Sequence, residues 1–346
     1  MRRWAVRLLP VAAVLVIGVL WSLSQPYRGF QEPVSIDIPK GTGTRQMAAL
    51  LAEKGIVRWD WQFLAARALH PRARLQAGEY VFAEPADVWQ VLDRIVRGDV
   101  YFYELTVPEG TNLFDIAKLA SGLGFMTEDE FLEAAAGTDR IKDLAPHAET
   151  LEGYLFPSTY RLTRHTTASQ LTAMMVEQFR MVWKQLRPSV DAHEAVTLAS
   201  LVEKETAVGS ERPLVASVYR NRLDIGMKLD CDPTTIYAAM IEHRYRGAIH
   251  RSDLNSRNRY NTYQHAGLPP GPIANPGLSS LKAALTPAQT KYLYFVAKPG
   301  GGGSHQFSET FQQHQSAVST YKRGNRKAPK ARAAKPVSGG KKSGTR

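Results

Sequence analysis

The carboxylates of Glu194–Ala207, EAVTLASLVEKETA, stand where side chains can do chemistry. The stretch reads as one helix. At about 100° per residue, Leu198, Leu201 and Val202 form an apolar stripe, and Glu205 falls in its middle. Glu203 projects away from the stripe, and Thr197, Ser200 and Lys204 share the polar side. A carboxylate aimed along an apolar face loses hydration, and the negative end of the helix dipole disfavours its charge further. Both effects raise its pKa. A carboxyl that stays protonated near neutral pH can serve as a general acid. The competing reading is a structural ion pair with an Arg or Lys, and the pattern alone weighs the two equally.

Most glycosidases use two carboxylates. Here Glu152, Glu203, Asp230 and Asp232 are all candidates for a partner of Glu205, with no preferred member. Other chemistries find less support. The nine His show no HExxH pattern, and His305 and His314 are isolated, so no metal site is expected. Gly300–Gly303 lacks the Lys-Ser/Thr of a phosphate-binding loop, and no G-x-S-x-G elbow or GxGxxG after a strand is present. No cofactor is expected. The single cysteine, Cys231, excludes an internal disulfide framework.

Two stretches have the composition of sugar-binding loops. Leu151–Leu162, LEGYLFPSTYRL, gathers Tyr154, Phe156, Pro157 and Tyr160 around Glu152. Aromatic faces suit the C–H faces of sugar rings, although they suit a plain core as well. Arg259–Gly277 holds four Pro and three Gly in nineteen residues, so no regular element can run through it. Its Pro residues fix the backbone, while Asn261, Thr262, Tyr263 and Gln264 offer hydrogen-bonding groups. A long rigid loop of this kind is commonly functional. Asp232-Pro233 reads first as a helix start, with Asp as N-cap and Pro at N1.

These stretches must be positioned by a chain of 346 residues, 44% hydrophobic and 22% charged, enough for one large or two medium domains. The net charge of +12 is concentrated at the end. Lys322–Arg346 carries ten Lys and Arg and no Asp or Glu, and without it the charge is about +2. A basic nucleic-acid-binding core is therefore not indicated, and no nucleic-acid partner is expected. Residues 1–7 are basic and are expected on the cytoplasmic side. Leu8–Leu23 then runs sixteen residues without a charge, and residues 8–24 are expected to be an uncleaved transmembrane anchor. The positive-inside rule puts the rest outside the cytoplasm.

Gln25–Pro39 reads as an extended link ending in a strand, with Val34, Ile36 and Ile38 alternating. Two short helices, a strand at Gly78–Phe82 and an amphipathic helix over ADVWQVLDRIVRG follow. This strand–helix–helix–strand order over residues 33–104 resembles LysM, a small sugar-binding module. Thr127 and Glu130 form a capping box, Ser210 is the expected cap of another helix, and YLYFVA with HQFSET predicts a hairpin. The expected class is α+β: an N-terminal membrane helix, a small LysM-like α+β module, and a larger α+β catalytic domain over residues 105–322. Residues 323–346 are expected to be a disordered basic tail.

ASLVEKETA, VASVYRNRLDIGMKLDCDPTTIYA, YNTYQHAGLPPGPIANPGLSSLKAAL and YLYFVA together resemble the YceG-like family of endolytic murein transglycosylases. The resemblance runs from the membrane segment to about Lys322. It implies an inner-membrane, single-pass enzyme with its catalytic domain in the periplasm. Such an enzyme cleaves the MurNAc–GlcNAc β-1,4 bond within nascent peptidoglycan glycan strands, leaves 1,6-anhydro-MurNAc ends and so terminates elongation beside peptidoglycan synthases. It implies that the second Glu of E-K-E-T, Glu205, is the catalytic acid. No enzyme nucleophile is then required, because the sugar's C6 hydroxyl attacks. Glu205 would give its proton to the leaving oxygen and later take the C6 hydroxyl proton. Glu152, Tyr154, Asn261, Tyr263 and Gln264 are the expected substrate contacts. The sequence departs from the family at Ser158, where Asp is usual, and at Cys231, where Thr is frequent. The rival expectation is a non-catalytic peptidoglycan-binding scaffold of the cell-wall synthesis machinery, with Glu205 in a structural ion pair.

Overall fold

A computed structural model describes residues 14, 16–300 and 302–327. The chain forms two compact units, each discontinuous in sequence. The first comprises residues up to Val107, Phe114–Ala135 and Ser158–Met174. The second comprises Pro108–Leu113, Ala136–Pro157 and the chain from Met175 onward. The mixed helix and strand content agrees with the α+β class. Two segments expected in the larger catalytic domain, 114–135 and 158–174, thus fall in the first unit.

The first unit opens with β1 (Val34–Ile38), α1 (Thr44–Glu53), α2 (Asp60–Leu69), β2 (Gly78–Phe82) and α3 (Val88–Arg97). Strands β1 and β2 pair antiparallel, with Ile36 opposite Tyr80. The alternation of β1 puts Ile36 and Ile38 inside. They join Leu51, Phe63, Tyr80, Phe82, Val91 and Ile95 in one core. Each such side chain, fully buried, contributes roughly 1.5–3 kcal/mol. Helix α3 is stopped at both ends. Asp87 accepts from the Gln90 backbone N–H at 2.8 Å, the Gln90 side chain answers the Asp87 N–H at 3.0 Å, and Gly98 closes it with φ 68°. Strand β3 (Tyr103–Thr106), α4 (Leu113–Ser121), α5 (Glu128–Ala136) and β4 (Thr159–Leu162) follow, with β3 and β4 paired antiparallel. Thr127 and Glu130 make the expected capping box ahead of α5.

The expected extended link over Gln25–Pro39 is not free ahead of its strand. Tyr27 exchanges backbone hydrogen bonds with Ala86 at 3.0 and 3.2 Å, and the Gly29 N–H reaches Gly55 O at 2.9 Å. The Gln62 side chain donates to Ser22 O at 3.0 Å, and Leu23 lies in the core. The expected anchor over residues 8–24 lies mostly outside the described residues. Residues 16–23 are helical, and among the described residues no helix is long and apolar enough to cross a membrane. Of the expected disordered tail, residues 323–327 are helical and the remainder lies outside the described residues.

The second unit is built around helix. After α6 (Ala168–Leu186) come α7 (Ala192–Glu205), α8 (Arg212–Asp224), α9 (Asp232–Ile241), the short α10 (Arg251–Leu254) and α11 (Leu278–Leu285). Strands β5 (Tyr294–Ala297) and β6 (His305–Ser308) form the expected hairpin, and α12 (Phe311–Lys327) packs on it. Helix α7 starts two residues before the apolar pattern suggests, because Asp191 caps it through the Glu194 N–H at 2.8 Å. It touches α8, α9 and α11, so part of its polar side is covered too, while Lys204 stays exposed. Thr197 and Ser200 are buried, and Ser200 accepts the Ile273 N–H at 3.1 Å. Ser210 does not cap α8. A 3-10 turn over Gly209–Glu211 leads into that helix instead, with Pro213 in its first turn.

Candidate active site

The four residues of E-K-E-T divide their work. Glu203 has a side chain only 5% exposed, accepting from Arg212 at 2.8 Å and from the Gly277 N–H at 3.0 Å. Lys204 donates to Gly110 O at 3.1 Å. Thr206 closes α7 through its N–H to Val202 O and accepts the Val208 N–H on its hydroxyl. Glu205, the last residue of α7, meets no cation within ion-pair distance among the described residues. Its Oε2 accepts from the Tyr219 hydroxyl at 3.2 Å and from the Cys231 thiol at 3.7 Å. The residue keeps a partly exposed edge although protein crowds it.

Burial holds the Glu205 carboxyl above the usual carboxylate range, and the charge of Asp232 adds to this. The Tyr219 hydrogen bond, His305 and the Cys231 thiol act the other way without cancelling it. Burial also pushes Tyr219 and Cys231 up, so both remain protonated donors. The Tyr219 ring is fixed edge-on to Phe295, with centroids 6.1 Å apart, and Phe295 meets the His305 ring at 5.4 Å. Glu211 holds His305 through Nδ1 at 2.8 Å and the backbone N–H at 2.9 Å.

Tyr219→Phe should move the alkaline limb of activity to higher pH. The lost hydrogen bond favours the ionised form of Glu205, so its removal raises that pKa further. At about 1 kcal/mol per hydrogen bond the shift is of order one pH unit or less. A pH–rate profile showing no displacement, or an opposite one, would count against the assignment of Tyr219 as donor.

The expected substrate contacts separate into two groups. Glu152 is buried, accepting from the Leu113 N–H at 2.9 Å, the Tyr237 hydroxyl at 2.9 Å and the Asn275 amide at 2.8 Å. Tyr154 is buried against Phe179, its hydroxyl 3.0 Å from His193 Nδ1. His193 Nε2 faces Pro270 O at 2.7 Å and must carry the proton, so Nδ1 accepts from Tyr154. Asn261 is buried and spends its amide on the carbonyls of Asp253, Leu254 and Ser256 at 2.8–3.2 Å. Among the described residues, the hydrogen bonds of these three brace the unit. Gln264 is exposed and rests on Leu254 O at 2.8 Å. Tyr263 differs: it is partly exposed, and its hydroxyl donates to Asp232 Oδ1 at 2.7 Å.

The tight turn at Gly153 shows why the first aromatic loop is core. Its φ is +86°, and a Cβ there would strike Pro272 and Val196. Pro272 belongs to the Pro-rich loop, so the two stretches pack directly on each other.

Asp232 is not the N-cap of α9. Cys231 occupies that position, and the Asp232 side chain stays exposed. Among the four candidate partner carboxylates, Glu152 and Glu203 are tied up, and Asp230 lies 3.7 Å from Arg222. The sequence reading does not single out Tyr219, and it reads His305 only as an isolated histidine. Tyr219 follows Val215 by four residues on the buried face of α8, where a tyrosine hydroxyl needs a partner. His305 lies a hundred residues beyond Glu205, and only the hairpin brings it near.

Among the described residues, no three His, Cys, Asp or Glu come together in a way that could hold a metal ion. The profile of the YceG-like family matches residues 36–320. An endolytic murein transglycosylase of Bacillus subtilis strain 168 is 32% identical over 311 residues, covering 83% of this chain and 84% of the relative. An endolytic murein transglycosylase of Streptococcus pneumoniae R6 is 27% identical over 76% of this chain, which spans 54% of that relative's length. The crystal structure of a YceG-like protein from Listeria monocytogenes matches with a TM-score of 0.53 and 29% identity, over 83% of this chain and 99% of that one. The match spans both E-K-E-T and the Pro-rich loop, and the chain belongs to the YceG-like family.

Proposed function

We propose that this chain is a peptidoglycan lytic transglycosylase that cleaves the MurNAc–GlcNAc β-1,4 bond inside glycan strands, with Glu205 as its acid. One observation carries this reading. Glu205 is a partly exposed carboxyl that makes no ion pair among the described residues, and burial raises its pKa above the ordinary value. The names of the Bacillus and Streptococcus relatives point to the same activity.

Glu205 gives its proton to the leaving glycosidic oxygen. The C6 hydroxyl of the MurNAc ring closes on C1 and yields a 1,6-anhydro end, so neither an enzyme nucleophile nor an activated water is required. Tyr219 and Cys231 occupy Oε2, which leaves Oε1 as the working oxygen. Positioning the strand in a near-attack pose supplies much of the remaining acceleration. Tyr263 and Gln264 stand as substrate contacts on the exposed side of the Pro-rich loop. The catalytic region, residues 105–322, would work outside the cytoplasm, held to the membrane by residues 8–24. The LysM-like region 33–104 would lie between them, with peptidoglycan synthases as neighbours.

Mass spectrometry of the products from uncrosslinked strands tests the reading. A 1,6-anhydro end is lighter than a reducing end by one water. Anhydro ends are expected. Reducing ends alone would make the protein a hydrolase, and no new ends would leave it a scaffold.

A further inference from the structure

The described helix at the start of the chain is apolar and bare. All six positions from Val16 to Trp21 are exposed. At about 3.6 residues per turn they point in every direction, so no face of this stretch is turned to the protein. A helix that is apolar all round belongs in a core or in lipid. The uncharged run to which it belongs begins at Leu8, outside the described residues. Directly after it the chain is locked into the first unit. Leu23 is 1% exposed and lies in the core. The buried Gln62 donates to Ser22 O at 3.0 Å and to Ser22 Oγ at 2.9 Å, and accepts the Trp59 N–H at 3.1 Å. One side chain thus ties the end of the apolar helix to the first turn of α2, and whatever depth Trp21 takes, that turn takes with it.

The turn carries two exposed indoles. Trp59 is 57% exposed and Trp61 41%, beside Trp21 at 67%. The start of α2 needs neither ring. Trp59 closes the turn through its backbone, and the Trp61 N–H is met by Asp60 Oδ1 at 2.7 Å. Indoles with an apolar body and one polar N–H suit the boundary between lipid and water. Trp21 and Arg58 line one recess of about 200 Å³, whose wall includes Ser22, Tyr27 and Gln62. Arg58 is exposed, lies over the Tyr27 ring at 5.1 Å and makes no ion pair among the described residues. Its charge in that recess complements the phosphate of a lipid headgroup.

We propose that the first unit docks flush on a phospholipid bilayer, with Trp59 and Trp61 entering the headgroup layer beside Trp21 and Arg58 taking a lipid phosphate in the recess. This rests on the reading of residues 8–24 as a membrane anchor, and adds to it a second contact made by the folded unit itself. A protein partner would cover one side of the apolar helix, whereas lipid covers every side. The consequence is a fixed height. Because Leu23 and Gln62 leave no slack between helix and unit, residues 33–104 stay at the membrane surface and do not swing out on a tether.

Fluorescence of the full-length chain in phosphatidylcholine nanodiscs, with and without bromine high on the acyl chains, tests this. The chain has six Trp: Trp4, Trp21, Trp59, Trp61, Trp89 and Trp183. With Trp4→Phe and Trp21→Phe in place, brominated lipid should quench the emission by about a third or more, and adding Trp59→Phe and Trp61→Phe should abolish that quenching. If the combined variant melts early, Trp59→Phe and Trp61→Phe are read singly, each removing part of the quenching. Phosphatidylglycerol in the discs should deepen the quenching, and Arg58→Glu should abolish that increment; an increment that survives overturns the role of Arg58. A chain with Trp4, Trp59 and Trp61 changed to Phe, keeping Trp21, reports the anchor separately. Quenching of Trp21 without quenching of Trp59 and Trp61 overturns the docking and leaves the anchor standing. Absence of Trp21 quenching removes the anchor reading, and the docking with it. Trp59 and Trp61 shielded from aqueous iodide yet untouched by bromine would mean that a second copy of the chain covers them, which also overturns the proposal.

Discussion

Glu205→Gln should lose anhydro-end formation by at least about 10²–10⁴-fold, the usual worth of a general acid. The amide fills the same space and can still accept from Tyr219 and Cys231, so the fold should persist. Wild-type activity should decline as pH rises through the raised pKa of Glu205, which lies above its ordinary 4.5, because the acid must start protonated. The groups setting that pKa are Tyr219 on α8, Cys231 and Asp232 at the head of α9, and His305 on β6. The variant's residual rate should lack this limb. Stability should move the opposite way to activity. The folded pKa exceeds the unfolded one, so below about pH 4 the carboxyl is neutral in both states and carries no penalty. Above that, the unfolded chain ionises first and Glu205 costs stability up to its folded pKa and beyond. Gln carries no such cost, so Glu205→Gln should be more resistant to urea than wild type at neutral pH, and equal to it in acid. A variant that loses stability at neutral pH would indicate a structural ion pair, and wild-type activity would settle the matter against catalysis.

The periodicity of α7 was readable because a helix that must bury three sides writes its apolar residues into a compact window. The same pattern separated Glu205 from Glu203, and the structure shows why they differ: one ends in an ion pair with Arg212, the other does not. What periodicity does not carry is the partner of each buried polar group. Glu152 looked like a sugar contact because aromatic residues surround it, and aromatic residues serve cores and sugar sites equally. Asn261 looked available because it sits in an irregular loop. Yet a long loop without regular structure leaves its carbonyls unpaired, and a buried amide is a ready way to satisfy them. Asp232 was obscured by the Pro that follows it. Pro at N1 is a sound helix-start signal, but the cap fell on Cys231, one residue earlier than expected. Tyr219 and His305 reach the site through tertiary packing of α8 and the β5–β6 hairpin, which no local window records.

Glu152→Ala should destabilise the protein by about 3 kcal/mol or more, measured as a lowered urea midpoint at unchanged slope. The carboxylate accepts from Leu113, Tyr237 and Asn275 in a site closed to solvent. Each donor left unsatisfied costs about 1–3 kcal/mol, and the cavity adds to it. Against a total of roughly 5–15 kcal/mol, that is a large share. Glu152→Gln should also destabilise, by a smaller amount, because its NH2 group would face the N–H of Leu113 or Asn275. The effect should reach the active site indirectly. Asn275 closes the Pro-rich loop whose other end carries Tyr263, and Leu155 donates to the same Asn275 side chain at 2.9 Å. Loss of Glu152 should therefore loosen the Tyr263–Asp232 contact and lower kcat as well as stability. A substrate contact would behave differently: KM would rise while the urea midpoint stayed at the wild-type value. That outcome would return Glu152 to the substrate-binding role its aromatic neighbours suggest.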